Sequence, residues 1–225
     1  MRRLGITLIL LGLLLISGAL FLFCHNRLES ERAGKAAGSI RAELLAKMED
    51  SAAEGADPYS DVVWNSGDWE DSPNENDEPG PVPEMPVMTI GGYACIGIID
   101  VPSVGISLPV MASWDYELLS VSPCYYSGSY YTDDLVICGH NYRRHFSPLR
   151  WAQIGSEVIF TAVNGTVFNY VISNRETVSP TDIETMVSST SDWDLTLFTC
   201  NLDGLTRCAV RCERFTGSPQ NSIIE

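Results

Sequence analysis

The sequence predicts a mainly β protein: a closed or nearly closed β-barrel with short helical inserts, preceded by an N-terminal transmembrane helix. Three observations lead there. Leu4 to Phe23 is an unbroken apolar run, short β-rich runs alternate with turn residues from Val87 onward, and the stretch just before Val87 has little to bury. Many short strands with few helices are the pattern of a barrel rather than of an open α/β sheet.

The apolar run holds twenty residues, interrupted only by small or weakly polar ones such as Gly5, Thr7, Gly12, Ser17 and Gly18. Coiled as a helix it spans about 30 Å, the thickness of a bilayer core. A cleaved signal peptide has a shorter apolar region of roughly 7–15 residues, and a lipoprotein signal would place a small residue, not Phe23, before Cys24. Residues 1–25 are therefore expected to be an uncleaved anchor in the membrane through residues 4–23. Arg2 and Arg3 favour a cytoplasmic N-terminus. Arg27, Arg32 and Lys35 follow closely, so the outward orientation of the rest rests partly on what that rest does.

Glu29 to Met48 is rich in helix formers, with Ile40, Leu44, Leu45 and Met48 at helical spacing, and residues 26–49 are expected as a juxtamembrane helical stalk. Residues 50–86 are acidic and rich in Pro, Gly, Ser and Asn, the composition of a linker. The folded domain is expected over 87–216, with strands over 93–99, 106–110, 135–138, 157–162, 167–172, 195–199 and 207–213. Asn164-Gly165 marks a hairpin between the fourth and fifth of these. Short helices are expected over 114–120 and 147–151, with a helical turn after Pro180. Residues 217–225 form a tail.

The net charge of −15 is localised: eleven acids and no base lie between Asp50 and Glu84, leaving about −4 for everything else. No cluster of Lys and Arg offers a phosphate-binding surface, which argues against nucleic acid as a partner. The seven cysteines do not have the spacing of a zinc ribbon or a small disulfide scaffold. Cys208 and Cys212 cannot pair if they share a strand, because four residues of strand cover roughly 13 Å. Mostly free, buried thiols are expected, since a lone cysteine is more often a small core residue than a nucleophile.

Cys200 is the exception by position. It ends the run 195–199, and a thiol at a strand terminus can meet a substrate in a groove. A nucleophilic thiol needs a partner that handles protons and a donor for the developing oxyanion. His25 abuts the membrane, whereas His140 follows the run Leu135-Val136-Ile137-Cys138-Gly139, again at a strand end; His145, five residues on, reads as a structural or solvated histidine. Donor candidates are Arg207 and Arg211. Alternation puts Arg207, Ala209 and Arg211 on one face and Cys208, Val210 and Cys212 on the other, inward one. Both arginines are thus expected to face outward, with Arg207 nearer to Cys200. Cys138-x-His140 is half a zinc pattern without further ligands at suitable spacing, so neither a metal nor another cofactor is expected. Arg143, Arg144 and Arg150 read as a surface charge cluster, and Trp193 as packing or groove wall.

At these residues the chain resembles a known family. Thr196-Leu197-Phe198-Thr199-Cys200 matches the TLxTC signature of sortases, Gly139-His140-Asn141 matches their histidine motif, and Arg207 completes the order His, Cys, Arg. The likeness runs from Gly97-Ile98-Ile99-Asp100-Val101-Pro102 to Arg211-Cys212-Glu213-Arg214. It departs in the six residues between Cys200 and Arg207, a shorter connection than many sortases have, which keeps Arg211 as a minor alternative. Gly-His-Asn resembles class B sortases and Arg207 to Arg214 the pilin-polymerising type, so the subclass stays open.

The resemblance implies a sortase-type barrel and a cysteine transpeptidase with a hydrolytic side reaction. Cys200 would attack the scissile carbonyl of a C-terminal sorting signal on an exported protein, giving a thioacyl enzyme. His140 would protonate the leaving amine and deprotonate the incoming one, supplied by a cell wall precursor or a pilin lysine. Arg207 would hold the substrate and the oxyanion, with Thr199 and Asn141 as substrate-binding neighbours. A thiol near 8.5 and an imidazole near 6.5 are poorly matched as an ion pair, so a fraction of the enzyme would hold the competent protonation state. The implied location is the cell membrane, single-pass, with the N-terminus cytoplasmic and the domain outside. Pilin-type sortases also carry a lid with an Asp-Pro-aromatic motif. Asp57-Pro58-Tyr59 fits it, and would set Asp57 on Arg207 and Tyr59 over Cys200; the favoured expectation for this segment is nonetheless a plain acidic spacer that lifts the domain off the membrane. Other readings are a non-catalytic membrane-tethered barrel serving as scaffold or adhesion domain, and a different Cys/His transpeptidase or hydrolase. An L,D-transpeptidase would show a Ser-x-Gly-Cys motif, and a papain-like enzyme would place Cys before His.

Overall fold

A computed structural model describes residues 2–53, 82–182, 187, 193–201 and 204–215, with side chains from Gly5 onward. Asp57, Tyr59 and the rest of 54–81, most of the turn expected after Pro180, and the tail 217–225 lie outside the described residues.

Among the described residues, nine strands form one sheet: β1 (Met88–Ile90), β2 (Tyr93–Val101), β3 (Ile106–Met111), β4 (Cys124–Ser127), β5 (Leu135–Gly139), β6 (Glu157–Ala162), β7 (Val167–Val178), β8 (Leu195–Cys200) and β9 (Arg207–Arg214). The order is β1-β2-β3-β4-β5-β8-β9-β7-β6, and β6 pairs back onto β2, so eight strands close into a barrel with β1 as an extra hairpin strand. The seven strands expected from sequence are all present, several longer by one to six residues, while β1 and β4 are too short for alternation to reveal.

Local chemistry sets the connections. At Asn164-Gly165 the glycine has φ 84°, and the Thr166 N–H donates to Asn164 Oδ1 at 3.1 Å, which turns β6 into β7. Most neighbours are antiparallel. Two pairs are parallel, β3 with β4 and β5 with β8. The first is bridged by the short helix α2 (Tyr116–Val121), whose N-terminus is capped by Asp115 Oδ1 accepting from Leu118 N–H at 2.7 Å. The second needs a long excursion through β6 and β7, as parallel neighbours cannot be joined by a tight turn.

Inward positions carry the main core: Leu135, Ile137, Phe160, Tyr170, Leu195, Leu197 and Val210, closed at one end by Phe146 and Leu149. A second core lies outside the barrel wall and is covered by the N-terminal helix α1 (Arg2–Ala53). Its first part, the apolar run, is exposed along its length and is long and apolar enough to cross a membrane. Its second part is no free-standing stalk. Ser30, Ala33, Ala37, Ile40 and Leu44 are buried at alternating steps of three and four residues, one stripe of the helix. Ile40 and Leu44 join Ile90, Ile98, Met111, Cys124 and Cys138 in one cluster. The small residues let α1 approach closely, and Gly34 is tightest: a Cβ there would lie 2.7 Å from Arg144 Cβ.

The barrel seam rests on a similar close approach. Gly97 on β2 pairs with Ala162 on β6, and a Cβ at Gly97 would stand 2.4 Å from the Thr161 carbonyl oxygen. Backbone cannot step aside as a side chain can. Gly97→Ala is therefore expected to destabilise the barrel by about 1–3 kcal/mol, measured by denaturant unfolding. A smaller loss would mean that the seam is looser than described.

Candidate active site

Sheet register assembles the site. Parallel pairing of β5 with β8 places Gly139 opposite Thr199, so both strands end at the same rim and His140 leaves the sheet beside Cys200. The hairpin from β8 to β9 then pairs Cys200 with Arg207. Adjacent strands lie about 4.8 Å apart, which sets three residues distant in sequence on three neighbouring strands. Alternation puts them on one face. Leu195 and Leu197 point into the main core, leaving Thr196, Phe198 and Cys200 on the outer side, opposite Arg211, Ala209 and Arg207.

His140, Phe198, Cys200 and Arg207 line one groove of about 220 Å³. His140, Cys200 and Arg207 form its polar end; Trp114, Tyr116, Leu119, Tyr126 and Phe198 form an apolar wall. The wall is a relay of ring contacts, with centroids 6.2 Å apart for Trp114 and Tyr116, 5.6 Å for Trp114 and Tyr126, and 5.2 Å for Tyr126 and Phe198. Trp114 and Tyr116 remain exposed, so apolar area in the groove is open to a ligand. No local pattern announces this wall: its residues come from three separate segments that the β3-to-β4 crossover and the pairing of β4, β5 and β8 bring together.

The imidazole is held on two sides. Asn141 Oδ1 lies 3.3 Å from His140 Nδ1, and Asn141 Nδ2 donates to the Asn201 carbonyl at 3.4 Å, tying the His140 loop to the residue after Cys200. The Tyr142 ring stacks on the imidazole with centroids 4.0 Å apart and planes 5° from parallel. Burial lowers the His140 pKa, and the Asn141 contact opposes that in part. Gly139 makes room below: a Cβ there would meet the Phe146 ring at 2.4 Å. Tyr142 was not singled out from sequence, although an aromatic two residues after His140 is a signal that stacking could have explained.

The two arginines have different fates. Arg207 Nη1 donates only to the carbonyls of Gly204 and Thr206, at 3.5 and 3.2 Å, and meets no carboxylate among the described residues. Arg211 corrects an expectation. It sits on the predicted face yet is 1% exposed, with Nε on Glu176 Oε1 at 2.8 Å, Nη1 on Thr196 Oγ1 at 2.9 Å and Trp193 over its guanidinium at 4.7 Å. Alternation does set Arg211 on the outer face, but Trp193 and Glu176 cover that stretch of it. Among the described residues, Arg211 is held by side-chain partners and Arg207 by backbone carbonyls alone.

Among the thiols, Cys200 is half-exposed, while Cys95, Cys124, Cys138, Cys208 and Cys212 are buried and unpaired, as expected. Burial pushes Cys95 up to about 11 and Cys138 to about 12, which leaves them inert as nucleophiles. Thr199 borders the groove but is 1% exposed, and its Oγ1 has no hydrogen-bond partner among the described residues. Arg144 is pinned by Glu31 on α1 at 3.1 Å, and its backbone N–H donates to Ser30 Oγ at 3.2 Å; that contact lowers the Glu31 pKa.

His145 is fully buried, beside Tyr142 and near the backbones of Ala33 and Val121, with no hydrogen bond at either ring nitrogen among the described residues. Burial, assisted by the nearby His140, lowers its pKa to about 4. An unfolded histidine takes up its proton near 6.5, so the unfolded chain binds that proton first as pH falls. Stability from this residue is therefore intact above about pH 6.5 and declines towards pH 4, by a total on the order of 3 kcal/mol. Urea midpoints measured across that range should fall, and His145→Leu should flatten the fall; an unchanged slope would contradict the assignment.

Residues 99–215 match the family model described as Sortase domain. Among curated protein sequences, none matches this chain. Among solved structures, sortase A from Corynebacterium diphtheriae is similar with a TM-score of 0.52 and 21% identity, covering 57% of this chain and 64% of that one. Sortase C1 from Streptococcus agalactiae gives a TM-score of 0.50 and 19% identity over 56% of this chain and 70% of that one. At these identities the likeness is one of fold, and the chain spans less than two thirds of the Corynebacterium protein.

Proposed function

Because the chain belongs to the sortase family, its Sortase-domain match covering 99–215, we propose that it is a membrane-anchored cysteine transpeptidase with Cys200 as nucleophile, His140 as proton carrier and Arg207 as oxyanion donor. The observation that carries this reading is the register that aligns the three on one outer face beside an apolar groove.

A C-terminal sorting signal of an exported protein lies along the groove, its apolar side chains against Trp114 and Tyr126. The Cys200 thiolate attacks the scissile carbonyl, and the charge that develops on the carbonyl oxygen meets the Arg207 guanidinium, which faces no carboxylate among the described residues. The imidazolium of His140 gives its proton to the departing amine, leaving a thioester. A new amine then attacks, His140 takes its proton, and the sulfur leaves with the bonding electrons. Water in place of the amine gives slow hydrolysis. Because burial lowers the His140 pKa, the protonated form needed for the first step is a minority species near neutrality, which limits the rate of thioacylation. Asn141 holds the ring that both half-reactions use. Residues 4–23 anchor the protein with its N-terminus in the cytoplasm and residues 87–216 outside as the catalytic unit.

The test uses the full chain in detergent with a panel of sorting-signal peptides and an amine acceptor. Cys200→Ala and His140→Ala should abolish turnover, and Arg207→Ala should lower it by about 10²–10³-fold. Arg211→Ala should act mainly on stability, because it strips the partner from a buried network. No thioacyl adduct at Cys200 with any peptide would favour a non-catalytic scaffold, and a harmless Arg207→Ala beside a crippled but folded Arg211→Ala would reverse the arginine roles.

A further inference from the structure

His140 borders two cavities. One is the groove with Cys200 and Arg207. The other, of about 630 Å³, lies between α1 and the loop that follows His140, and shares with the groove no residue but His140. Its walls include Arg27 and Glu31 of α1 and Asn141, Tyr142 and Arg143 of the loop, and Phe23, the last residue of the apolar run, also lines it. We propose that this second cavity receives the amine-bearing acceptor, and that Arg27 and Arg143 hold an anionic group on it, a phosphate or carboxylate presented at the bilayer surface. The proposal rests on the reading of His140 as the group that deprotonates the incoming amine.

Three observations converge. The first is access. While the acyl donor occupies the groove, an amine can reach the imidazole without displacing it only by another approach, and the second cavity ends at the same ring. The amine nitrogen attacks the thioester carbonyl, the C–N bond forms as the C–S bond breaks, Cys200 sulfur keeps the electron pair, and one amine proton passes to His140. No oxidant, reductant or further reactant is needed.

The second is charge. Glu31, the acid that lines this cavity, is engaged by Arg144 at 3.1 Å, and Glu29 on the adjoining turn by Arg32 at 2.9 Å. Arg27 and Arg143 make neither a hydrogen bond nor an ion pair with the described residues. Both lie near enough to Glu31 to help lower its pKa, but neither is hydrogen-bonded to it. Two exposed guanidiniums thus face a single carboxylate that Arg144 already holds, which suits a further anion that accepts forked hydrogen bonds.

The third is height. If residues 4–23 fill the bilayer core, Phe23 sits at its edge, and Arg27 stands about 6 Å further along the helix, at the level of phosphate head groups. An acceptor whose anionic group lies at that height suits the cavity, and one held far above the membrane does not.

The test reads a ratio on a single enzyme, so that losses of folding or of donor binding cancel. Full-length protein in phosphatidylcholine nanodiscs is first acylated with a sorting-signal peptide. The thioacyl enzyme is then offered triglycyl-phosphoserine amide or triglycyl-serine amide, which share one amine. The phosphorylated acceptor should be preferred in kcat/KM by about tenfold or more, and Arg27→Gln with Arg143→Gln should bring the ratio to about one. A ratio near one in the unsubstituted protein, or one that survives both substitutions, overturns the proposal. So does a preference that vanishes in phosphatidylglycerol nanodiscs, which would assign the arginines to lipid head groups instead. Failure of the thioacyl enzyme to form, seen before any acceptor is added, sinks the catalytic reading itself and this proposal with it.

Discussion

The parallel pairing of β5 with β8 is the interaction on which the site depends. Their register sets Gly139 opposite Thr199, and with it the lateral position of His140 against Cys200. A slip of one residue would reverse which side chains face outward along the moved strand, turning the thiol or the approach of the imidazole into the core. The pairing is enforced from within. Leu135, Ile137, Leu195 and Leu197 fill the main core together, so any other register would expose large apolar groups. Hydrophobic packing on the inside thus sets polar geometry on the outside. The tight hairpin from β8 to β9, turned at Gly204 with φ 68°, then leaves Arg207 little choice of place.

Arg207 and Arg211 show how far position alone determines what a residue can do. They lie on one strand, on one face, two pleats apart. Among the described residues, one meets only backbone carbonyls at the open rim; the other lies beneath Trp193 with Glu176 and Thr196 as partners. A buried guanidinium needs such compensation, as an unpaired one would be costly to desolvate. The same chemical group therefore serves the wall in one place and stays at the open rim of the groove in the other.

Much of this was legible in the sequence, where local rules and global packing agree. Alternation placed the strands, Asn164-Gly165 placed a hairpin, and the ends of two strands singled out Cys200 and His140. What stayed hidden depends on packing between distant segments. β1 and β4 are too short to show a period. The burial of Arg211 comes from chain lying over the outer face, which alternation within one strand cannot report. The aromatic wall joins α2, β4 and β8, and the stripe of Ser30, Ala33 and Ala37 on α1 looks like ordinary helix until the barrel is laid against it. Ile40 and Leu44 recur at helical spacing, but periodicity does not say what lies opposite.

That stripe has a mechanical consequence. A domain on a slack chain samples a volume and every orientation, and must find its partner again at each encounter. Here the barrel is bolted along α1 from Ser30 to Leu44, in the same unbroken helix as the apolar run. If that run lies in a bilayer, the barrel has little freedom to tumble independently of it. Its remaining motions are chiefly rotation about the membrane normal and drift within the plane. A reactant confined to the same sheet of lipid would be met by a two-dimensional search at a fixed height, with much of the orientational entropy of the encounter already removed.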